Sequence, residues 1–141
     1  MDGTNQMFSL AAGYPYAVDY SRGIVHYNPG ETSGVDILAQ HEADAVLIIG
    51  TDLGAHFPHA TVEHLANINT IVLDPFISLS TAVAKIHIPV ASVGIDAEGT
   101  AYRLDGVPIH VKKAFNTDMP SDEVILTKIL DEVRRLKAER K

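Results

Sequence analysis

The chain contains no cysteine. Disulfides, Cys-ligated iron–sulfur clusters, zinc ribbons and thiol nucleophiles are therefore excluded within these 141 residues. Positive charge is also scarce: 11 Lys and Arg stand against 18 Asp and Glu, a formal net charge of -7. That balance argues against binding driven by a nucleic-acid backbone, and it would repel anionic membranes. No apolar run approaches the roughly 20 residues that cross a bilayer. The start, Met1-Asp2-Gly3-Thr4-Asn5, has neither basic residues nor an apolar stretch, so it does not read as a signal peptide. The expectation is a cytoplasmic chain with no nucleic-acid or membrane partner. Gly-x-Ser-x-Gly, a Walker loop and a complete Gly-x-Gly-x-x-Gly are absent. So are internal repeats and low-complexity tracts.

What remains is an ordinary globular composition, 46% hydrophobic and 21% charged. At this length one domain with a real core is expected. The organising stretch is Val46-Leu47-Ile48-Ile49-Gly50-Thr51-Asp52. A short, unbroken apolar run suits a strand buried on both faces of a parallel sheet. Thr70-Ile71-Val72-Leu73-Asp74-Pro75 repeats the pattern. Strands are predicted over 45–49 and 70–73, with a helix over 58–67 between them, where Val62, Leu65 and Ala66 share a face. Such a βαβ unit is right-handed almost without exception. It delivers Asp52 and Asp74 to one rim, at the carboxyl ends of the strands, where open α/β sheets bind ligands.

Around this unit, residues 1–28 read as extended or looped, with a short helix, packed by tyrosines. A helix is predicted over 31–42. A shorter one over 81–84 is capped by Ser80-Thr81. Residues 85–89 form a third strand that ends at Pro89, with alternating polarity that puts it near the sheet edge. Residues 90–106 read as an exposed loop and 107–111 as a short extended piece. Ser121 caps a long final helix, with Asp122 and Glu123 at its positive end. Leu126, Ile129, Leu130, Val133 and Leu136 form its core stripe, and Arg134, Arg135, Lys137, Arg140 and Lys141 crowd its negative end.

Two groups of residues invite chemistry. Gly50 would let a ligand approach the backbone, and amides at the start of the next helix attract phosphate. Asp74, 22 residues beyond Asp52, could accept hydrogen bonds from a ribose or a guanine edge. The competing reading makes both aspartates turn and cap residues. Three of the seven histidines, His56, His59 and His64, could meet a metal if the loop folded back. Their spacing matches no compact zinc signature, and surface or helix-end histidines are the plainer reading.

Several blocks then carry a resemblance. Ile71-Val72-Leu73-Asp74-Pro75, Ser80-Thr81-Ala82-Val83-Ala84-Lys85-Ile86-His87-Ile88-Pro89 and Glu98-Gly99-Thr100-Ala101-Tyr102-Arg103-Leu104-Asp105-Gly106 resemble the molybdopterin-dependent oxidoreductases. Gly13-Tyr14-Pro15-Tyr16-Ala17-Val18-Asp19, Tyr27-Asn28-Pro29-Gly30-Glu31-Thr32 and Ala55-His56-Phe57-Pro58 resemble the B subunit of formylmethanofuran dehydrogenase. The resemblance implies a Rossmann-like, three-layer α/β domain with a mostly parallel sheet, holding part of a molybdopterin guanine dinucleotide with tungsten or molybdenum. It implies carbon dioxide reduction onto methanofuran in methanogenic archaea. Gly50, Thr51, Asp52, Asp74 and Pro75 would line the nucleotide half of the cofactor, and Glu98, Gly99 and Thr100 a later cofactor-facing loop.

The departures are as informative. The family's metal-ligating Cys or selenocysteine and its cluster cysteines have no counterpart here, and Lys85, His87 and Leu104-Asp105-Gly106 vary the pattern. Residues 1–141 therefore read as a single Rossmann-like domain, a carboxy-terminal fragment of the catalytic subunit, with no catalytic or metal-ligating residue and no redox chemistry of its own. Its partners would be the rest of that B subunit and the other subunits of the enzyme. Two alternatives stand beside this: a subunit-interaction module with no ligand, and an autonomous nucleotide-binding enzyme. The tyrosine-rich start and the 90–106 loop are expected to form an apolar or mobile surface.

Overall fold

A computed structural model describes residues 2–140. In chain order the elements are α1 (Asp2–Ala12), β1 (Val18–Asp19), β2 (His26–Tyr27), α2 (Gly34–Ala39), β3 (Ala45–Ile49), α3 (Leu53–His56), α4 (His59–Asn67), β4 (Asn69–Leu73), α5 (Leu79–Val83), β5 (Ile86–Ile88), β6 (Gly99–Tyr102), β7 (Pro108–Val111) and α6 (Asp122–Glu139). β3, β4 and β5 form a parallel sheet in that order, flanked by helices. β1 pairs with β2, and β6 with β7, as small antiparallel units.

The apolar runs dictate the sheet. The register sets Val46 beside Thr70, Ile48 beside Val72, and Val72 beside His87. Side chains alternate across a strand, so these residues share one face. The Thr70 hydroxyl donates to the Leu65 carbonyl at 2.7 Å, which fixes α4 over that face. Ile48, Leu65, Val72, Thr61 and Thr70 are fully buried there. With right-handed crossovers, the sequential strand order puts α4 and α5 on the same side, and the two helices touch.

The outer segments differ from expectation in several places. Residues 2–12 are an 11-residue helix, closed by Gly13 in the left-handed region (φ 82), whose amide donates to Ser9 O. The 31–42 helix is shorter: Ser33 stands at the N-cap and only 34–39 are helical. The segment after Asp52 contains the extra turn α3. Ser78, not Ser80, caps α5, through a reciprocal bond pair with Thr81. The supposed loop over 90–106 buries Val90, Ala91 and Ala97 and contributes β6 to a hairpin. Its residues Val93, Ile95 and Leu104 remain exposed, as do Tyr14, Tyr16 and Tyr20 near the start.

Ser121 does cap α6, accepting from Val124 N. The stripe on that helix is not a core, however: none of its residues is buried, and Leu130, Val133 and Leu136 are over 40% exposed. The basic tail is solvated, with Arg135 on Glu132 and Glu139; Lys141 lies outside the described residues. The total accessible surface is 9735 Å². A compact monomer of 15.2 kDa would expose about 7,100 Å².

Candidate functional site

The rim of the sheet is built from three strand ends. β3 stops because Gly50 takes φ 58, a left-handed conformation that a Cβ would strain. The Gly50 amide still donates to Leu73 O at 2.9 Å, which ties the turn to β4. Open space surrounds the position a Cβ would occupy. The chain then turns through Thr51 into Asp52.

Asp52 reaches across to α5. One carboxylate oxygen accepts from the Ser80 amide (2.9 Å) and the Ser80 hydroxyl (2.8 Å). The other accepts from the Leu79 amide at 3.3 Å. Ser80 Oγ in turn accepts from the Gly54 amide at 2.9 Å. Partial desolvation pushes the Asp52 carboxyl up, but the bonds from Ser80, Leu79 and Ala55 outweigh it and hold it below the usual carboxylate value. Gly54 permits this closure: a Cβ there would sit 2.7 Å from Leu79 Cβ and 2.9 Å from backbone atoms of Leu79 and Ser80. Asp52 thus clasps the first turn of α5, as an N-capping carboxylate does.

Asp74 ends β4 on the same rim, because β3 and β4 run parallel in register. It is 8% exposed. One oxygen accepts from the Phe76 amide at 2.8 Å, a local turn across Pro75. The backbone carbonyl of Asp74 contacts His87 Nε2 at 2.9 Å, which joins β5 to the rim. The second carboxylate oxygen carries no hydrogen bond among the described residues. Phe76, Ile77 and Leu79, which follow, are 63%, 90% and 58% exposed and form an apolar lip.

The rim therefore unites Gly50, Thr51, Asp52, Asp74 and Pro75. It does not include Glu98, Gly99 and Thr100 in the same way. Those residues open the β6–β7 hairpin, with Gly99 opposite Val111 and Thr100 opposite His110. The hairpin packs on α1, through Tyr102 on Met7 and Gly106 against Gln6. The histidines do not converge either. His59 lies beside Glu63 on the surface, whereas His64 contacts Ala43 O at 3.0 Å and its ring lies against that of His41, centroids 4.2 Å apart and planes tilted by 60°. Among the described residues no three His, Asp or Glu side chains gather for a metal.

Two features were not read from the sequence. The Asp52–Ser80 clasp spans 28 residues, and no local pattern signals it. A cleft of about 400 Å³, lined by Phe8, Tyr16, Val18, Thr32 and Ile37, opens beside α1 and α2. The stacked pair Tyr14–Tyr27, 4.6 Å apart, props up the same segment.

No family model matches the chain. It is 44% identical over 128 residues to the B subunit of the tungsten-containing formylmethanofuran dehydrogenase 2 of Methanocaldococcus jannaschii, a match covering 89% of this chain and 29% of that protein. It is 40% identical over 139 residues to the corresponding protein of Methanococcus maripaludis, covering 97% of this chain and 32% of that protein. A chain in the crystal structure of the formyltransferase/hydrolase complex of Methylorubrum extorquens, in complex with methylofuran, superposes with a TM-score of 0.78 at 18% identity, covering 96% of this chain and 38% of that one. This last likeness speaks for the α/β fold alone. The chain spans about three tenths of the length of the relatives it matches in sequence. Over nearly its whole length it is a homologue of part of the B subunit of tungsten-containing formylmethanofuran dehydrogenase 2.

Proposed function

We propose that this chain is the part of a formylmethanofuran dehydrogenase catalytic subunit that holds the guanine-dinucleotide end of a metal–pterin cofactor. The intact enzyme would reduce carbon dioxide onto methanofuran, reversibly. The observation that carries this reading is the 40–44% identity, along almost the entire chain, to the B subunit of that enzyme. The relatives' names favour tungsten over molybdenum. A cytoplasmic place accords with it, and no helix among the described residues is long and apolar enough to cross a membrane.

The rim suits the base-and-sugar end of such a cofactor. Gly50 leaves its backbone open to approach, and Asp74 keeps one acceptor oxygen for a guanine N–H edge. Asp52 contributes indirectly. Its oxygens are taken by α5, so it shapes the turn that carries Gly50 and Thr51. Glu98, Gly99 and Thr100 belong to a second contact region, made once the hairpin meets the rest of the enzyme. When bound, the cofactor supplies the electron transfer and the protein supplies orientation. Without cysteine, the isolated chain contributes no thiolate to the metal and is expected to be inactive.

A second reading, a subunit-contact module with no ligand, draws on one observation. The Asp52 carboxylate already fills the amides at the start of α5 that a phosphate would use. Titration of the isotope-labelled chain with guanosine monophosphate separates the two. The cofactor reading expects amide shifts at residues 50–54 and 74–76, weakened at least five-fold by Asp74→Asn. Absence of shifts at millimolar nucleotide, or shifts confined to the cleft beside α1, favours the contact module.

A further inference from the structure

The two outer strands of the sheet are built differently. β5 is flanked by Lys85 and Pro89 and carries His87 at its centre. Lysine and proline are the residues that protect a sheet edge from further pairing. β3 is Ala45-Val46-Leu47-Ile48-Ile49, with no charge, proline or bulge. That is the composition of an interior parallel strand, yet among the described residues β3 has a neighbour only on the β4 side. Gly50 N donates to Leu73 O. In a parallel ladder both polar groups of alternate residues point to the same neighbour, so the amides of Leu47 and Ile49 point away from β4, to the open edge.

The sheet face opposite α4 tells the same story. Register and alternation put Leu47, Ile71 and Ile86 in one row and Ile49, Leu73 and Ile88 in the next. All six are aliphatic. Leu47, Ile49 and Ile86 are 42%, 40% and 51% exposed, and only Leu73 is fully buried. Parallel sheets are covered on both faces. The sequential strand order spends both crossover helices on the other face; the chain closes over Leu73 but leaves Leu47, Ile49 and Ile86 exposed.

We propose that the β3 edge and this aliphatic face are the seat of the part of the B subunit that the chain does not span. That part would add a strand beside β3 and lay an amphipathic helix over Leu47, Ile49, Ile71 and Ile86. The length of the relatives selects this occupant over a second copy of the chain: they are about three times as long. The accessible surface exceeds that of a compact monomer by about 2,600 Å², area enough for a permanent contact. The inference rests on the reading of this chain as part of that larger polypeptide.

Co-expression with the unmatched portion of the Methanococcus maripaludis relative, followed by affinity purification, tests it. A complex is expected in which the Leu47 and Ile49 amides exchange at least ten-fold more slowly than in the free chain. Leu47→Lys combined with Ile86→Lys should reduce recovery of the complex at least ten-fold, whereas Leu104→Lys, at a 95% exposed position, should not. Circular dichroism confirms that the variants fold. Three results overturn the proposal: no complex; a complex indifferent to Leu47→Lys and Ile86→Lys; or a free chain already dimeric with both amides protected, which assigns the edge to a second copy. The nucleotide titration reads different residues, so a silent titration beside a protected β3 edge rejects the cofactor reading and leaves this one standing.

Discussion

The sheet unit and the segments around it obey different rules. From Ile48 to Ser80 the chain supplies every one of its largest fully buried side chains. Helix α6 has 18 residues, a well-formed cap and an amphipathic pattern, yet buries none of them. A helical stripe reports that a helix has an apolar side; it does not report whether this chain holds the surface that covers it. In the sheet unit the covering surface lies within 30 residues, so pattern and burial coincide. In α6, and on the outer face of β3, the pattern is complete and the cover is not.

That contrast can be broken by substitution. The largest effect is expected inside the sheet unit. Leu65→Ala, at a fully buried position on α4, should destabilise the chain by about 2–5 kcal/mol, read by chemical denaturation. Gly54→Ala forces a Cβ against the backbone of Leu79 and Ser80. Its expected cost is about 1–3 kcal/mol, with loss of the amide signature of the Asp52 clasp.

Asp52→Asn sharpens the comparison through pH. The folded carboxyl sits below its unfolded value of 3.8, so its contribution is present above about pH 4 and is lost as pH falls through the folded value. The variant should be less stable by about 1–3 kcal/mol at neutral pH. The gap should close in strong acid, where wild type has lost the same charge. A gap that persists unchanged at pH 2 would assign the effect to packing instead. Leu136→Ala, on the exposed half of α6, should shift stability by less than about 0.5 kcal/mol.

The two strand-end aspartates were legible because a buried strand is a local signal and parallel pairing carries its end to a predictable place. The fates of those aspartates were not. Both readings of Asp52 and Asp74, ligand acceptor and turn or cap residue, were open in the sequence, and Asp52 proves to be held by a residue 28 positions away. Ser80 reads from the sequence as the cap of its own helix. Instead Ser78 takes that place, and Ser80 is buried facing Asp52. Half of the hairpin over 99–111 was hidden for another reason: 107–111 read as extended, but β6 alternates weakly and remains partly exposed, so period-two patterning had little burial to follow there.

Amide hydrogen exchange of the free chain tests most directly whether stability is concentrated in the sheet unit. Amides of β4, with Thr70, Val72 and Leu73 fully buried, should open only on global unfolding, and those of α6 beyond Leu130 should exchange at least 100-fold faster. Equal protection of β4 and the end of α6 would mean that the helix is already packed in this chain, and the account of an uncovered flank would be wrong.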